Sequence, residues 1–314
     1  MSESHLSPTP SDYITSKRVV SYPWLWRSRL HYWLGFKNSR GFSKNYMYKK
    51  YHKMCQKKFA ERNSQIGQEY IGPGDEFRKN LYHIFPPTEE RNKLFDRVPK
   101  DLLAEMDKPS TVINKKRQFA HRLLLNPSQY QQVKDLLTDE IASMVKSFFR
   151  SDFLVMSSYL FKTNPNPTAM PDSTWLWHLD EHPDCHMKIY FYLTGATRDS
   201  GALQYHSWED SKKLMWRGFL DRRNVPEDIV RDLDNEENIN FAEVEQGTVM
   251  LFCPSFIHRA VIPVKRPRHV LGFEVIPAPE PDLDYRNIHM SFWEDPEDIL
   301  SGKLEGSGYL DTSY

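Results

Sequence analysis

The second half of the chain is built from short apolar runs separated by turn residues, and this pattern restricts the possible folds more than any other feature. The segments MKIYFYLT (187–194), GALQYH (201–206), GTVMLFC (247–253) and RHVLGFEVI (268–276) are of strand length, carry aromatic and β-branched residues, and are bounded by Gly, Pro or polar loops. Ahead of them FLVMSSYLFK reads as a further strand and NPNPTAMPDS as a loop. Between the second and third runs lies a helical insert, roughly 208–233, in which Trp208, Met215 and Phe219 share a face and Pro226 opens a second short helix. Many short strands with one long excursion predict a mainly β fold with helices: a double-stranded β-helix, or jelly roll, flanked by α-helices.

Upstream the chain changes character. From Asn126, NPSQYQQVKDLLTDEIASMVKSFF combines a capping residue, proline at the first helical position and apolar residues at 130, 133, 137, 141, 144 and 148, which predicts one amphipathic helix. Residues 1–15, rich in Ser and Pro, are expected to form a disordered leader, and 16–125 a basic, aromatic helical region packed on the core. The jelly-roll core is expected over 126–277 and an acidic extension over 278–314. No internal repeat is evident.

The 42 basic and 42 acidic residues cancel overall but not locally. Residues 17–62 carry a single acid, Glu61, among many Lys and Arg, whereas 277–311 carry acids against only Arg286 and Lys303. Within the basic stretch, SYPWLWRSRLHYWLGFK interleaves Trp24, Trp26, Tyr32, Trp33 and Phe36 with Arg27, Arg29 and Lys37. It suits a helix packed on the main domain, an interfacial helix or a nucleic-acid surface, with packing the commonest fate of such aromatics. An anionic membrane surface reached through 17–62 therefore stands as a candidate partner, and no specific nucleic-acid partner is expected. The three cysteines, Cys55, Cys185 and Cys253, form no CxxC pair, which argues against a disulfide framework or thiolate zinc site and for a reducing compartment. The N-terminus lacks the apolar segment of a secretory signal and no run of about 18 apolar residues occurs, so a soluble, cytoplasmic protein is expected.

The chemistry concentrates in TWLWHLDEHPDCHMKIYFYLT. On extended backbone, residues at i and i+2 point to the same side, so His178 and Asp180 can reach one metal ion. An imidazole and a carboxylate joined by a third ligand form the facial triad that suits Fe(II) and leaves coordination positions open. The segment GTVMLFCPSFIHRAVIPVKRPRHVLGFEV offers that third ligand, His258, after an apolar strand and a short loop. Ten residues on, Arg268 opens the last strand, where a guanidinium can hold a carboxylate bidentately. Arg266 is its rival across Pro267. Lys188, Tyr190 and Tyr192 share a strand face, from which Lys188 or Tyr190 could point into the barrel towards a bound cosubstrate. His182 and His186 read as exposed loop or outer-shell residues, His206 and His269 as structural, and Cys253 as a small buried hydrophobe.

Residues from about 150 to 277 resemble the phytanoyl-CoA dioxygenase family of Fe(II)/2-oxoglutarate-dependent oxygenases. The matching pieces are WHLD (177–180), YLTGATRDSGALQY (192–205), GTVMLF (247–252), His258 and RPRHVL (266–271). The resemblance implies iron bound by His178, Asp180 and His258, 2-oxoglutarate anchored by Arg268, and dioxygen used to hydroxylate a small-molecule substrate. Asp180 favours hydroxylation, because the halogenating relatives replace this carboxylate with a small residue. The chain departs from the family where Gln204-Tyr205-His206-Ser207-Trp208 stands in place of a Pro-Gly-Ser-His motif, which points to a divergent substrate pocket. The insert, with Trp208, Lys212, Lys213, Trp216 and Arg217, is a candidate wall of that pocket and equally an ordinary helix face. Two other readings remain open: a catalytically silent jelly-roll binding protein, and a cupin-like metalloenzyme that uses the same triad without 2-oxoglutarate.

Overall fold

The two longest strands, Asp152–Thr163 and Arg268–Ala278, pair antiparallel and form the axis on which the rest assembles. The computed structural model describes residues 22–34, 42–65, 74–113, 118–171, 173–180, 185–219, 225–233, 240–281, 285, 298 and 300–301. The leader at 1–15, His182 and most of the acidic extension lie outside the described residues.

In chain order the strands are β1 (Tyr82–Phe85), β2 (Ala120–Leu124), β3 (Asp152–Thr163), β4 (Met187–Tyr192), β5 (Gln204–Tyr205), β6 (Asn240–Phe241), β7 (Val249–Phe252), β8 (His258–Arg259) and β9 (Arg268–Ala278). They form a six-stranded antiparallel sheet ordered β1-β7-β4-β9-β3-β2 and a three-stranded sheet ordered β6-β5-β8. The sheets meet through aromatic contacts such as Tyr82 on Tyr205, with ring centroids 4.9 Å apart. The fold is the expected mainly β jelly roll with helices outside it.

Alternation along the central strands decides what lines each face. On β4, Met187, Ile189 and Phe191 pair with Val275, Phe273 and Leu271 of β9 and turn outward. There they share one core with Ile141, Met144, Val145, Phe148 and Phe149 of the helix Asp139–Phe149. Lys188, Tyr190 and Tyr192 pair with Glu274, Gly272 and Val270 and turn inward, so the inner face is the polar and aromatic one. Gly272 is required there, because the ring of Tyr159, its partner on β3, crosses over it. A Cβ at this position would stand 2.6 Å from that ring.

Three expectations need correction. The single helix from Asn126 is broken into Pro127–Gln131, a 3-10 turn at Lys134–Leu136 and Asp139–Phe149. Thr138 starts the last of these by accepting the amide of Ile141, and Asp139 and Glu140 suit its positive end, so a second helix begins where the apolar periodicity suggested continuation. The region 16–125 is not wholly helical, because β1 and β2 supply both edges of the large sheet. YHIF and AHRLL are short, and His83, His121 and Arg122 blur their apolar signal. GALQYH contributes only Gln204 and Tyr205 to a strand, because a turn capped by Thr197 occupies Arg198–Ser200 and ends at Gly201 with φ 84°.

The remaining N-terminal elements are strapped to the jelly roll by specific bonds. The helix Phe42–Gln65 buries Tyr48, Tyr51, Cys55 and Phe59, and Tyr51 donates to Pro277 O at 2.6 Å. The helix Tyr22–Trp33 lies on the segment Met215–Phe219 of the insert, which is kinked at Gly218 (φ 96°), and there Ser28 Oγ donates to Met215 O at 2.8 Å and Arg29 Nε to Trp216 O at 3.2 Å. The helix is thus held on the insert through Ser28 and Arg29, while Trp26 and Trp33 of the aromatic stretch stay exposed. Beyond β9, Tyr285 stacks on Tyr130 at 4.2 Å and donates to Leu125 O at 2.7 Å, fixing the start of the acidic extension. No described helix is long and apolar enough to cross a membrane.

Gly272→Ala is expected to destabilise the protein by about 1–3 kcal/mol, the usual cost of overpacking a full site. It should also displace Tyr159 from its 3.4 Å contact with the Tyr190 hydroxyl. Urea unfolding of the variant measures the first effect; a midpoint equal to that of the parent protein would show that Tyr159 does not press on this residue.

Candidate metal centre

The cluster begins with backbone, before any side chain is considered. His178 N donates to His258 O and His258 N donates to His178 O, both at 3.0 Å, an antiparallel bridge between the segment before β4 and the start of β8. Asp180 N then donates to Pro254 O at 3.0 Å, a further tie between the two segments that lies two residues off the 178–258 register. Two segments far apart in sequence are thereby locked side by side with three potential ligands on one face.

The side chains follow from that pairing. The His178 and His258 rings lie 4.3 Å apart, His178 Nε2 is 3.4 Å from Asp180 Oδ1, and His258 Nε2 is 3.9 Å from Asp180 Oδ2. Ligand atoms of all three residues fall within 4.8 Å of one another. Ligands about 2.1 Å from a shared ion at right angles stand about 3 Å apart, so modest adjustment closes the site. Each imidazole is oriented from behind: His178 Nδ1 is 2.8 Å from Leu176 O and His258 Nδ1 is 2.8 Å from Phe256 O. A carbonyl only accepts, so Nδ1 donates and Nε2 is the ring atom turned towards Asp180. Burial, reinforced by His178 alongside, pushes His258 down to about 3, which keeps it in the neutral form that a metal needs.

Asp180 has a second partner. Lys188 Nζ donates to its Oδ2 at 2.6 Å from the inner face of β4. Burial alone would push the Lys188 ammonium down, but Asp180, Tyr190 and Glu274 together hold it above its ordinary value. Glu274 is the cross-strand neighbour of Lys188; it accepts from Ser157 Oγ at 3.1 Å and lies 3.8 Å from His186 Nε2. His186 is therefore fully buried beside a carboxylate, not part of an exposed loop. Glu274 was not singled out in the sequence, although an acid inside the apolar run RHVLGFEVI is the signal that marks it.

At the other end of the inner face, Arg268 is 6 % exposed and donates through Nη1 to Gly201 O. Among the described residues no carboxylate pairs with it, its Nε has no partner, and burial pushes its guanidinium down against the opposing effect of Tyr192 and Tyr190. Thr163, opposite Arg268 in the β3–β9 register, is fully buried and its hydroxyl also lacks a partner. An unpaired buried cation and an adjacent unused hydroxyl form a place for a carboxylate. Arg266, by contrast, is exposed. Thr163 carries no signal in the sequence, since its role depends on strand register.

Lys188 and Tyr190 do face inward, but Lys188 is engaged by Asp180 and Tyr190 sits between Tyr159 and Phe252. The insert is held by a buried pair: Arg259 donates to Glu227 Oε2 at 2.9 Å and lies over the Trp177 ring at 4.4 Å. His206 is buried against Trp177 at 5.0 Å and Cys253 is fully buried.

Comparison with known proteins agrees with the architecture. The chain is similar to EctD from S. alaskensis in a crystal structure with 2-oxoglutarate and 5-hydroxyectoine, with a TM-score of 0.51 at 15 % identity over 67 % of this chain and 77 % of that one. It is also similar to the apo form of EctD, with a TM-score of 0.50 at 13 % identity over 69 % and 81 % of the two chains. A looser likeness, TM-score 0.46 at 17 % identity over 64 % of this chain and 81 % of the other, is to SnoK, a non-heme alpha ketoglutarate dependent carbocyclase from nogalamycin biosynthesis. No family profile matches the sequence, and no curated protein matches it. At these identities the EctD likeness establishes a shared fold.

Lys188→Met should leave the Asp180 carboxylate without its ammonium and cost the metal-free protein about 2–4 kcal/mol, somewhat below the figure for a fully buried pair. A divalent cation should then raise the melting temperature of the variant by more than it raises that of the parent. Equal metal-free stabilities would remove the ion pair from the account of the site.

Proposed function

We propose that this chain is a non-haem Fe(II)- and 2-oxoglutarate-dependent dioxygenase, hydroxylating a C–H bond of a small organic or lipid-like substrate. His178, Asp180 and His258 hold the iron, and Arg268 anchors the cosubstrate. The observation that carries this reading is the pairing of two sites on one inner face: a two-histidine, one-carboxylate cluster, and a buried guanidinium with no carboxylate of its own among the described residues. The fold supports it, being shared with a protein crystallised with bound Fe and with 2-oxoglutarate. The phytanoyl-CoA dioxygenase family is the proposed affiliation, resting on WHLD, GTVMLF, His258 and RPRHVL. Three free, buried cysteines accord with the proposed reducing, cytoplasmic location.

Bound iron and 2-oxoglutarate would supply the oxidising power, turning dioxygen on the substrate while 2-oxoglutarate becomes succinate and CO2. The chain's own contribution is placement and exclusion. Leu176 O and Phe256 O fix both imidazole tautomers. Lys188 occupies Asp180 Oδ2, leaving Oδ1 towards His178 as the better placed donor to a metal. Arg268 and Thr163 supply the charge and hydroxyl that fix the far carboxylate of 2-oxoglutarate in one orientation. Tyr82, Tyr205, Phe252 and Phe256 pack ring against ring beside His258 and keep bulk water from the reacting centre. A cupin-like metalloenzyme independent of 2-oxoglutarate would leave the unused donors of Arg268 and Thr163 without a purpose.

The test is anaerobic titration of the Fe(II) protein with 2-oxoglutarate, followed by the weak visible charge-transfer band of the chelate. His258→Ala should lack the band. Arg268→Ala should bind 2-oxoglutarate about thirtyfold to several-thousandfold more weakly, the effect of losing about 2–5 kcal/mol from a buried charge-assisted pair. Thr163→Val should weaken it about tenfold, as for one hydrogen bond to a charged group, and Arg266→Ala should leave it unchanged. Normal binding by Arg268→Ala would transfer support to the reading without 2-oxoglutarate.

A further inference from the structure

One surface of the molecule is apolar where a soluble enzyme would ordinarily be polar, and the metal centre does not account for it. Within the helix Tyr22–Trp33, Trp26, Leu30 and Trp33 are 55 %, 52 % and 77 % exposed. At 100° per residue these positions fall within one narrow stripe along the helix. Ser28 and His31 are buried on the opposite side, and Ser28 is bonded to the insert, so the helix cannot roll to hide the stripe. Arg27 and Arg29 project on the two flanks of the stripe. Arg29 lies over the ring of Trp216 at 4.9 Å, and Trp216, from the insert, is itself 47 % exposed. The surface thus carries three tryptophans and a leucine bordered by arginines, assembled from segments 187 residues apart.

We propose that this patch docks on the surface of an anionic lipid bilayer, with the Tyr22–Trp33 helix lying in the interfacial plane. Tryptophan is the side chain best suited to that depth, since its ring is apolar and its N–H remains bonded among headgroups. The arginine flanks, within a stretch 17–62 that carries a single acid, match anionic headgroups in charge. A second protein surface fits less well. The stripe is one short helix long, whereas a stable protein interface buries about 1,200 Å² or more. A bilayer needs only shallow insertion of a few side chains together with attraction to basic residues. No described helix is long and apolar enough to cross a membrane. The patch is independent of iron and cosubstrate, and the iron-binding proposal would survive its failure.

The experiment is sedimentation of the full chain with phosphatidylcholine vesicles and with vesicles of equal parts phosphatidylcholine and phosphatidylserine, at low and raised salt. The anionic vesicles should pellet the protein more strongly, and salt should reduce the difference. Leu30→Ser with Trp33→Ser should lower partitioning about tenfold or more, through lost apolar burial. Arg27→Gln should lower it roughly fivefold. Both variants alter exposed side chains, so unchanged melting temperatures confirm that folding is intact. Equal pelleting of the parent protein and the stripe variant would overturn the proposal. So would a lipid-free, concentration-dependent dimer that the stripe variant abolishes, since the patch would then bind a second copy.

Discussion

His178 and His258 exchange both of their backbone hydrogen bonds, and every other feature of the candidate centre is a consequence of that exchange. It aligns a segment entering the large sheet with one belonging to the small sheet, which places two imidazoles and a carboxylate together. Because the ligands are fixed through main chain, side-chain repacking nearby can tune the site but cannot easily dismantle it. Preorganisation of this kind lowers the cost of binding, since little conformational freedom remains to be lost.

The inner face of the jelly roll departs from the apolar lining expected of a small barrel. Lys188, Glu274, Ser157 and His186 form a buried polar group at the metal end, while Arg268 and Thr163 stand at the other. The first group sets an ammonium between carboxylates; for the second, no carboxylate pairs with Arg268 among the described residues, and its Nε and the Thr163 hydroxyl are without partners there. A buried charge with no opposite charge beside it is costly. The aromatic rings between the two groups make each electrostatic interaction stronger by excluding water.

How much of this was legible from sequence follows from the range over which each feature is encoded. His178 and Asp180 could be found because two-residue spacing on extended backbone is local, and His258 and Arg268 because each sits at the margin of a strongly apolar run. The central strands β3, β4, β7 and β9 were readable for the same reason. Glu274 and Thr163 acquire their meaning only from cross-strand register, which a linear reading does not fix. The break before Thr138 was hidden because the apolar spacing runs on across it, while the capping hydroxyl that restarts the helix is a single atom. Arg259 and Glu227 meet across the insert, a pairing set by the tertiary path alone.

The placement of β1 and β2 bears on how this protein can be divided. Both strands precede Asn126, yet β1 covers the free side of β7 and β2 covers that of β3, so the first part of the chain closes both ends of a sheet built by the second. A chain trimmed to residues 126–277 would retain every candidate metal ligand and still present two rows of unpaired main-chain amides and carbonyls to solvent. Such edges are templates for strand addition between molecules. Trimmed in this way, the protein is more apt to form aggregates through its own sheet than to behave as an isolated catalytic core. The N-terminal segment thus acts as a built-in guard against self-association, whatever else it binds.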